Sequence, residues 1–197
     1  MASRVPDKPI TLANNAAVTT AYQVGLTWSQ GAYAGGTAVI DYRVNFKSTG
    51  DYTVFSSSIT TTSVTVTGLT PGVTYTFYVQ ARNRVGYSPN SDTVQVLAAQ
   101  VPDAPTSFAD NKSVTNAFRI GLTWVVPAFN GGSAVIDYSI FSDSAQGGAF
   151  TELANSITGS SYTVNSVIKG STYKFRIRAR NTYGFSVFSS DVSILAA

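Results

Sequence analysis

Cysteine and histidine are both absent from this 197-residue chain, and glutamate occurs once, as Glu152. Without thiols there are no disulfides and no thiolate metal sites, and without imidazole any metal would have to be held by oxygens. The commonest general base of enzyme catalysis is missing as well. Charge is scarce: Asp, Glu, Lys and Arg make up 12% of the residues, about half the share of an average soluble protein. The net charge of +3 divides as +2 over residues 1–99 and +1 over residues 101–197. That is no polycation, and nucleic acid is not an expected partner. No apolar run approaches the roughly 18 residues of a membrane helix, so no membrane insertion is expected of this segment.

What replaces the missing charge is Ser and Thr, on a background that is 44% hydrophobic. Such a chain has enough apolar surface to fold, and its Thr-rich runs favour a pleated surface.

The sequence repeats itself. Val5-Pro6-Asp7-Lys8-Pro9 returns as Val101-Pro102-Asp103-Ala104-Pro105, and Gly25-Leu26-Thr27-Trp28 as Gly121-Leu122-Thr123-Trp124, 96 residues on. Ala38-Val39-Ile40-Asp41-Tyr42 recurs as Ala134-Val135-Ile136-Asp137-Tyr138 at the same separation, whereas Tyr75 and Arg82-Asn83 recur 98 residues on, as Tyr173 and Arg180-Asn181. Two residues have therefore entered the second copy, most simply at Gly147-Gly148, where a loop would accept them. A repeat of this size indicates two domains, residues 1–99 and 100–197.

Within each copy apolar and polar residues alternate in short runs divided by Gly, Pro, Asn and Ser. Val24, Leu26 and Trp28 alternate with Gly25 and Thr27, and Tyr75, Phe77, Val79 and Ala81 with Thr76, Tyr78 and Gln80. Period-2 patterning with one buried face predicts about seven strands per copy and an all-β sandwich.

The stretch Leu69-Thr70-Pro71-Gly72-Val73-Thr74-Tyr75-Thr76-Phe77-Tyr78-Val79-Gln80-Ala81-Arg82-Asn83, with Pro6, Pro9 and Trp28 before it, resembles the fibronectin type III signature. The second copy repeats it with Val167, Gly170, Tyr173, Phe175, Ile177, Ala179 and Asn181, but Lys169 stands in place of Pro71. The resemblance implies two tandem seven-stranded, immunoglobulin-like β-sandwiches. Trp28 and Trp124 would fill the core, and Tyr75 and Tyr173 would bond back to the preceding turn. It also implies a non-catalytic spacer and adhesion module that binds other proteins or neighbouring repeats. Repeats of this kind rarely come as an isolated pair, so the chain reads as a piece of a larger extracellular or cell-surface protein. Two other readings stay open: an accessory pair of a secreted polysaccharide-degrading enzyme, and a subunit of a self-assembling surface fibre.

A search for chemistry finds little. The lysines lie in no recognisable motif, the Asp residues are expected at turns or on exposed strand faces, Asp41 and Asp137 among them, and no calcium-loop spacing occurs. No catalytic residue, metal or cofactor is expected. One surface does stand out. In Tyr173-Lys174-Phe175-Arg176-Ile177-Arg178-Ala179-Arg180 the apolar set points inward, so Lys174, Arg176, Arg178 and Arg180 share the outward face at steps of about 7 Å. Such a ladder suits an acidic glycan. It is equally a solvated strand face, partly neutralised by Asp137 and Asp143 on the adjoining strand. The first copy has Thr76, Tyr78, Gln80 and Arg82 there, which makes the ladder a property of the second copy alone. After it come Tyr183, Phe185 and Phe188, on a loop that in this family often carries recognition; they are either exposed contact residues or packed on a neighbouring surface. A lone sequon, Asn111-Lys112-Ser113, predicts a surface position.

Overall fold

The computed structural model describes residues 3–145 and 147–197. They form two units, divided between Ala99 and Gln100. The first unit contains β1 (Ile10–Asn14), β2 (Gln23–Ser29), β3 (Asp41–Lys47), β4 (Thr53–Ile59), β5 (Ser63–Thr67), β6 (Thr74–Arg82) and β7 (Val94–Leu97). The second contains β8 (Thr106–Asp110), β9 (Arg119–Val125), β10 (Asp137–Ser142), β11 (Thr151–Ile157), β12 (Ser161–Asn165), β13 (Thr172–Asn181), the two-residue β14 (Gly184–Phe185) and β15 (Val192–Leu195). No helix occurs among the described residues, so none is long and apolar enough to cross a membrane.

Each unit is a sandwich of two antiparallel sheets. In the first, β1-β2-β5 faces β4-β3-β6-β7; in the second, β8-β9-β12 faces β11-β10-β13-β15, with β14 folded back on the end of β13. The alternation in sequence decides which side chains go inside. Tyr75, Phe77, Val79 and Ala81 of β6 are buried while Thr76, Tyr78, Gln80 and Arg82 are partly exposed. Trp28 and Trp124 lie between the sheets, 4% and 3% exposed. Trp28 meets Tyr42 edge-on at 5.5 Å, and Trp124 meets Tyr138 at 5.4 Å and Phe108 at 6.2 Å.

Tyr75 and Tyr173 are buried, and each hydroxyl accepts a backbone N–H five residues upstream: Thr70 N at 3.0 Å and Ile168 N at 2.8 Å. The turn keeps its form where Pro71 becomes Lys169. Gly72 and Gly170 have φ of 77° and 79° and donate to Ala98 O at 2.9 Å and Ala196 O at 2.7 Å. The left-handed glycine and its bond hold this turn without the proline. Tyr173→Phe keeps the ring and removes the acceptor, leaving the Ile168 N–H without its partner. The second unit should lose about 1–2 kcal/mol, read as a lowered calorimetric transition; an unchanged transition would show the hydroxyl to be idle.

The outer strands are interrupted in both units. The β1–β2 and β8–β9 registers slip at matching places, as do β3–β4 and β10–β11. Thr11 and Ser58 in the first unit, and Ser107 and Ser156 in the second, have φ of 55°, 64°, 51° and 55°. A left-handed residue without glycine's freedom costs energy at each position, and such bulges twist a sheet edge away from a further strand.

The two extra residues of the second unit fall between β10 and β11: Lys47 to Thr53 is a step of six positions, and its counterpart Asp143 to Thr151 a step of eight. Asp41 and Asp137 lie on the outward strand faces, as expected, but are not exposed there. They are 3% and 4% exposed, and both belong to ion pairs with arginine. Each stands directly opposite its arginine across the β3–β6 or β10–β13 pair.

Candidate interaction surface

The outward face of β11-β10-β13-β15 gathers the sequence-predicted row. Alternation puts Lys174, Arg176, Arg178 and Arg180 on that side of β13. Only Lys174 stands fully in solvent; the three arginines are partly covered. The covering groups are phenylalanines. Arg176 Cζ lies 4.2 Å from the Phe150 ring centre and 4.1 Å from that of Phe188, and Arg178 Cζ lies 3.8 Å from Phe185 and 4.9 Å from Phe141. Phe141 and Phe188 meet edge-on at 5.0 Å. Guanidinium planes and rings therefore alternate along the face, each contact worth about 0.5–2 kcal/mol depending on how dry it is.

Arg180 closes the row. Its Nε donates to Asp137 Oδ1 at 2.9 Å and its Nη2 to Oδ2, a forked pair between directly opposed residues of β10 and β13. The carboxylate raises the Arg180 pKa further above its ordinary value, by hydrogen bonding first and by charge second. Asp143 does not neutralise the row through a side-chain pair. It is buried, and its Oδ1 accepts the backbone N–H groups of Ala145 at 3.0 Å and Lys174 at 2.9 Å, which shapes the turn after β10.

The face is not peculiar to the second unit. In the first, Arg43 on β3 donates twice to Gln80 Oε1, at 3.1 and 2.6 Å, and lies 4.0 Å from the Tyr87 ring. Arg82 is 5.5 Å from the same ring and forks onto Asp41, while Lys47 sits 4.7 Å from Tyr52, which meets Tyr78 at 4.6 Å. Arg43 pairs across the strands with Gln80, and Ser139 with Arg178. The same rung carries its cation on β3 in one copy and on β13 in the other. Reading β6 and β13 alone hides this exchange.

The aromatics reach the face because serines anchor the segment after β6 and β13. Ser88 Oγ accepts Ala81 N–H and donates to Pro89 O; Ser91 Oγ accepts Val79 N–H and donates to Asp92 O. Ser186 and Ser189 repeat this with Ala179 N–H and Ile177 N–H, donating to Val187 O and Ser190 O. With serines pinned three apart, the preceding Tyr87, or Phe185 and Phe188, are laid across the strand. Phe185 and Phe188 thus pack on their own sheet, while Tyr183 lies beyond them, 44% exposed.

A buried asparagine fixes the other side of each loop. Asn83 Nδ2 donates to Arg4 O at 2.7 Å and Ala34 O at 2.9 Å, and its Oδ1 accepts Val85 N–H at 2.9 Å and Gly86 N–H at 3.2 Å. Asn181 repeats the contacts with Gln100 O, Asn130 O and Tyr183 N–H. The carbonyls come this close because Gly35 has no side chain: a Cβ there would lie 2.1 Å from Arg4 O.

Two anchoring serines, a buried asparagine and a tyrosine bonded to the preceding turn thus recur in two sandwiches of the same seven strands, the second with the two-residue β14 added. The family model for the fibronectin type III domain matches residues 12–97 and 103–194. The chain belongs to the fibronectin type III family. It is 30% identical over 151 residues to chitinase A1 of Niallia circulans, covering 72% of this chain and 20% of that protein. Receptor-type tyrosine-protein phosphatase F of Bos taurus is 31% identical over 134 residues, covering 68% of this chain and 7% of the phosphatase. The chain thus spans a fifth or less of these relatives. A two-domain fibronectin type III segment from chicken tenascin superposes with a TM-score of 0.52 at 16% identity, covering 96% of this chain and 99% of that segment, a likeness of fold. The two matches fall one in each unit.

Proposed function

We propose that this pair is a non-catalytic spacer and protein-interaction module of a larger extracellular or cell-surface protein, with other proteins or neighbouring repeats as its partners. The observation that carries this reading is the fate of the reactive side chains. Ser88, Ser91, Ser186 and Ser189 each both accept and donate a hydrogen bond to backbone, and Asp41 and Asp137 are locked by arginine. These groups build the scaffold, and a nucleophile needs a base that none of them has. Relatives as unlike as a chitinase and a receptor phosphatase share this stretch, which supports a portable module.

The likeness to chitinase A1 favours one second reading, an accessory pair beside a polysaccharide-degrading catalytic domain. A hydrolase domain encoded in the same reading frame would support it; further repeats alone would support the spacer. A self-assembling fibre fits less well, since the bulged outer strands discourage strand addition. Sedimentation velocity over a wide concentration range is the direct test. A constant monomeric species is expected, and a concentration-dependent series of larger species would overturn the spacer in favour of assembly.

A further inference from the structure

The outward face of the second unit carries more cation than its own carboxylates neutralise. Lys174, Arg176, Arg178 and Arg180 lie on β13. Against them stand Asp137, taken by Arg180; Asp143, buried with its Oδ1 accepting the Lys174 and Ala145 backbone N–H groups; and Glu152, which is opposite Phe141 in register and accepts from Asn155 Nδ2 at 2.7 Å. Glu152 lines a recess of about 230 Å³ with Ser139, Asn155, Arg180 and Phe185, at the Arg180 end of the row. Among the described residues no carboxylate lies within ion-pair distance of Lys174, Arg176 or Arg178. The Nε atoms of Arg176 and Arg178 are buried without a partner. Each guanidinium thus lies between two rings, Arg176 between Phe150 and Phe188 and Arg178 between Phe141 and Phe185.

We propose that Lys174, Arg176 and Arg178 form a binding row for a linear polysaccharide bearing sulfate or carboxylate groups. The inference rests on the module reading above and names its partner class. Stacking removes the rotamer freedom that a free arginine loses on binding, so two of the three cations are pre-organised. The row spans about 14 Å at about 3.4 Å per residue, which suits an extended chain carrying anions at intervals. A sugar is favoured over an acidic peptide because the row ends on Phe185, 38% exposed, and its ring offers an apolar platform to a pyranose face. The first unit has no such row on β6, since Thr76, Tyr78 and Gln80 stand at these positions; its cations lie on β3, where Arg43 is spent on Gln80 and Lys47 sits over Tyr52.

The test uses the whole chain on immobilised heparin, with polyglutamate as the competing probe. The parent should be retained, and its affinity should fall with salt as several counterions are released. Lys174→Ser, at an exposed position, should leave the thermal transition in place and reduce the salt slope by about one unit. Arg178→Gln should reduce retention further. Arg84→Ser in the first unit and Lys169→Ser in the turn before β13 should change nothing. An unretained parent, loss through Lys169→Ser in place of Lys174→Ser, or equal capture by polyglutamate would each overturn the proposal. None of these results touches the monomeric spacer, which sedimentation tests separately.

Discussion

Replacing Trp124 by alanine is expected to lower the stability of the second unit by about 3–5 kcal/mol, a large part of the 5–15 kcal/mol typical of a single domain. The indole is 3% exposed and meets Phe108 and Tyr138 edge-on, so its removal leaves a cavity walled by rings that belong to opposite sheets. Those rings are fixed by their own strands and cannot collapse into the gap, which puts the cost at the upper end for such truncations. Calorimetry should show one transition displaced downward by well over 10 °C. Trp28 is then the chain's sole tryptophan and reports the first unit, whose buried cluster shares no residue with that of the second. Its fluorescence transition should hold its midpoint. A Trp124→Ala protein within 1 kcal/mol of the parent would reject the packing role of the indole.

The elements legible in the sequence were those set by alternation and repetition. Tyr75, Phe77, Val79 and Ala81 announce a half-buried strand by period alone, and the recurrence of Gly-Leu-Thr-Trp announces a second copy of the same sandwich. Side chains whose partners lie on another strand were not legible. Nothing local to Asp41 or Asp137 distinguishes a buried, arginine-locked carboxylate from an exposed one, since the locking residue is 41 or 43 positions away. The arginine row was visible as a spacing, but its covering by Phe141, Phe150 and Phe188 depends on register and on a loop laid back over the strand. One signal was present and unused: an aromatic before the first serine of each Ser-x-x-Ser pair, as Tyr87-Ser88 with Ser91, and Phe185-Ser186 with Phe188-Ser189. In a segment following a period-2 strand, serines three apart can each satisfy a strand N–H, and their neighbours must then turn outward.

Asn83→Ala is expected to cost the first unit about 2–4 kcal/mol, more than its small volume suggests. The amide is 2% exposed and uses all four of its hydrogen-bonding positions. Alanine leaves the part-buried Arg4 O and Ala34 O without their donor, and an orphaned acceptor costs about 1–3 kcal/mol where water cannot replace the donor. Two consequences separate this pin from an ordinary polar contact. First, Asn83→Asp, which keeps the acceptor oxygen but removes both donors and adds a charge, should be at least as harmful as alanine. Second, Gly35→Ala should be harmful too, because its Cβ would enter the gap that Asn83 Nδ2 and Arg4 O now share, at 2.7 and 2.1 Å. Guanidinium unfolding followed by Trp28 fluorescence in a Trp124→Phe background measures all three variants against that background. Hydrogen exchange should show the Arg4 N–H, bonded to Gly35 O at 2.9 Å, losing protection before the β6 amides do. If Asn83→Ala unfolds within 1 kcal/mol of the parent with the Arg4 amide still protected, the leading segment is held by its backbone ladder and the asparagine is incidental.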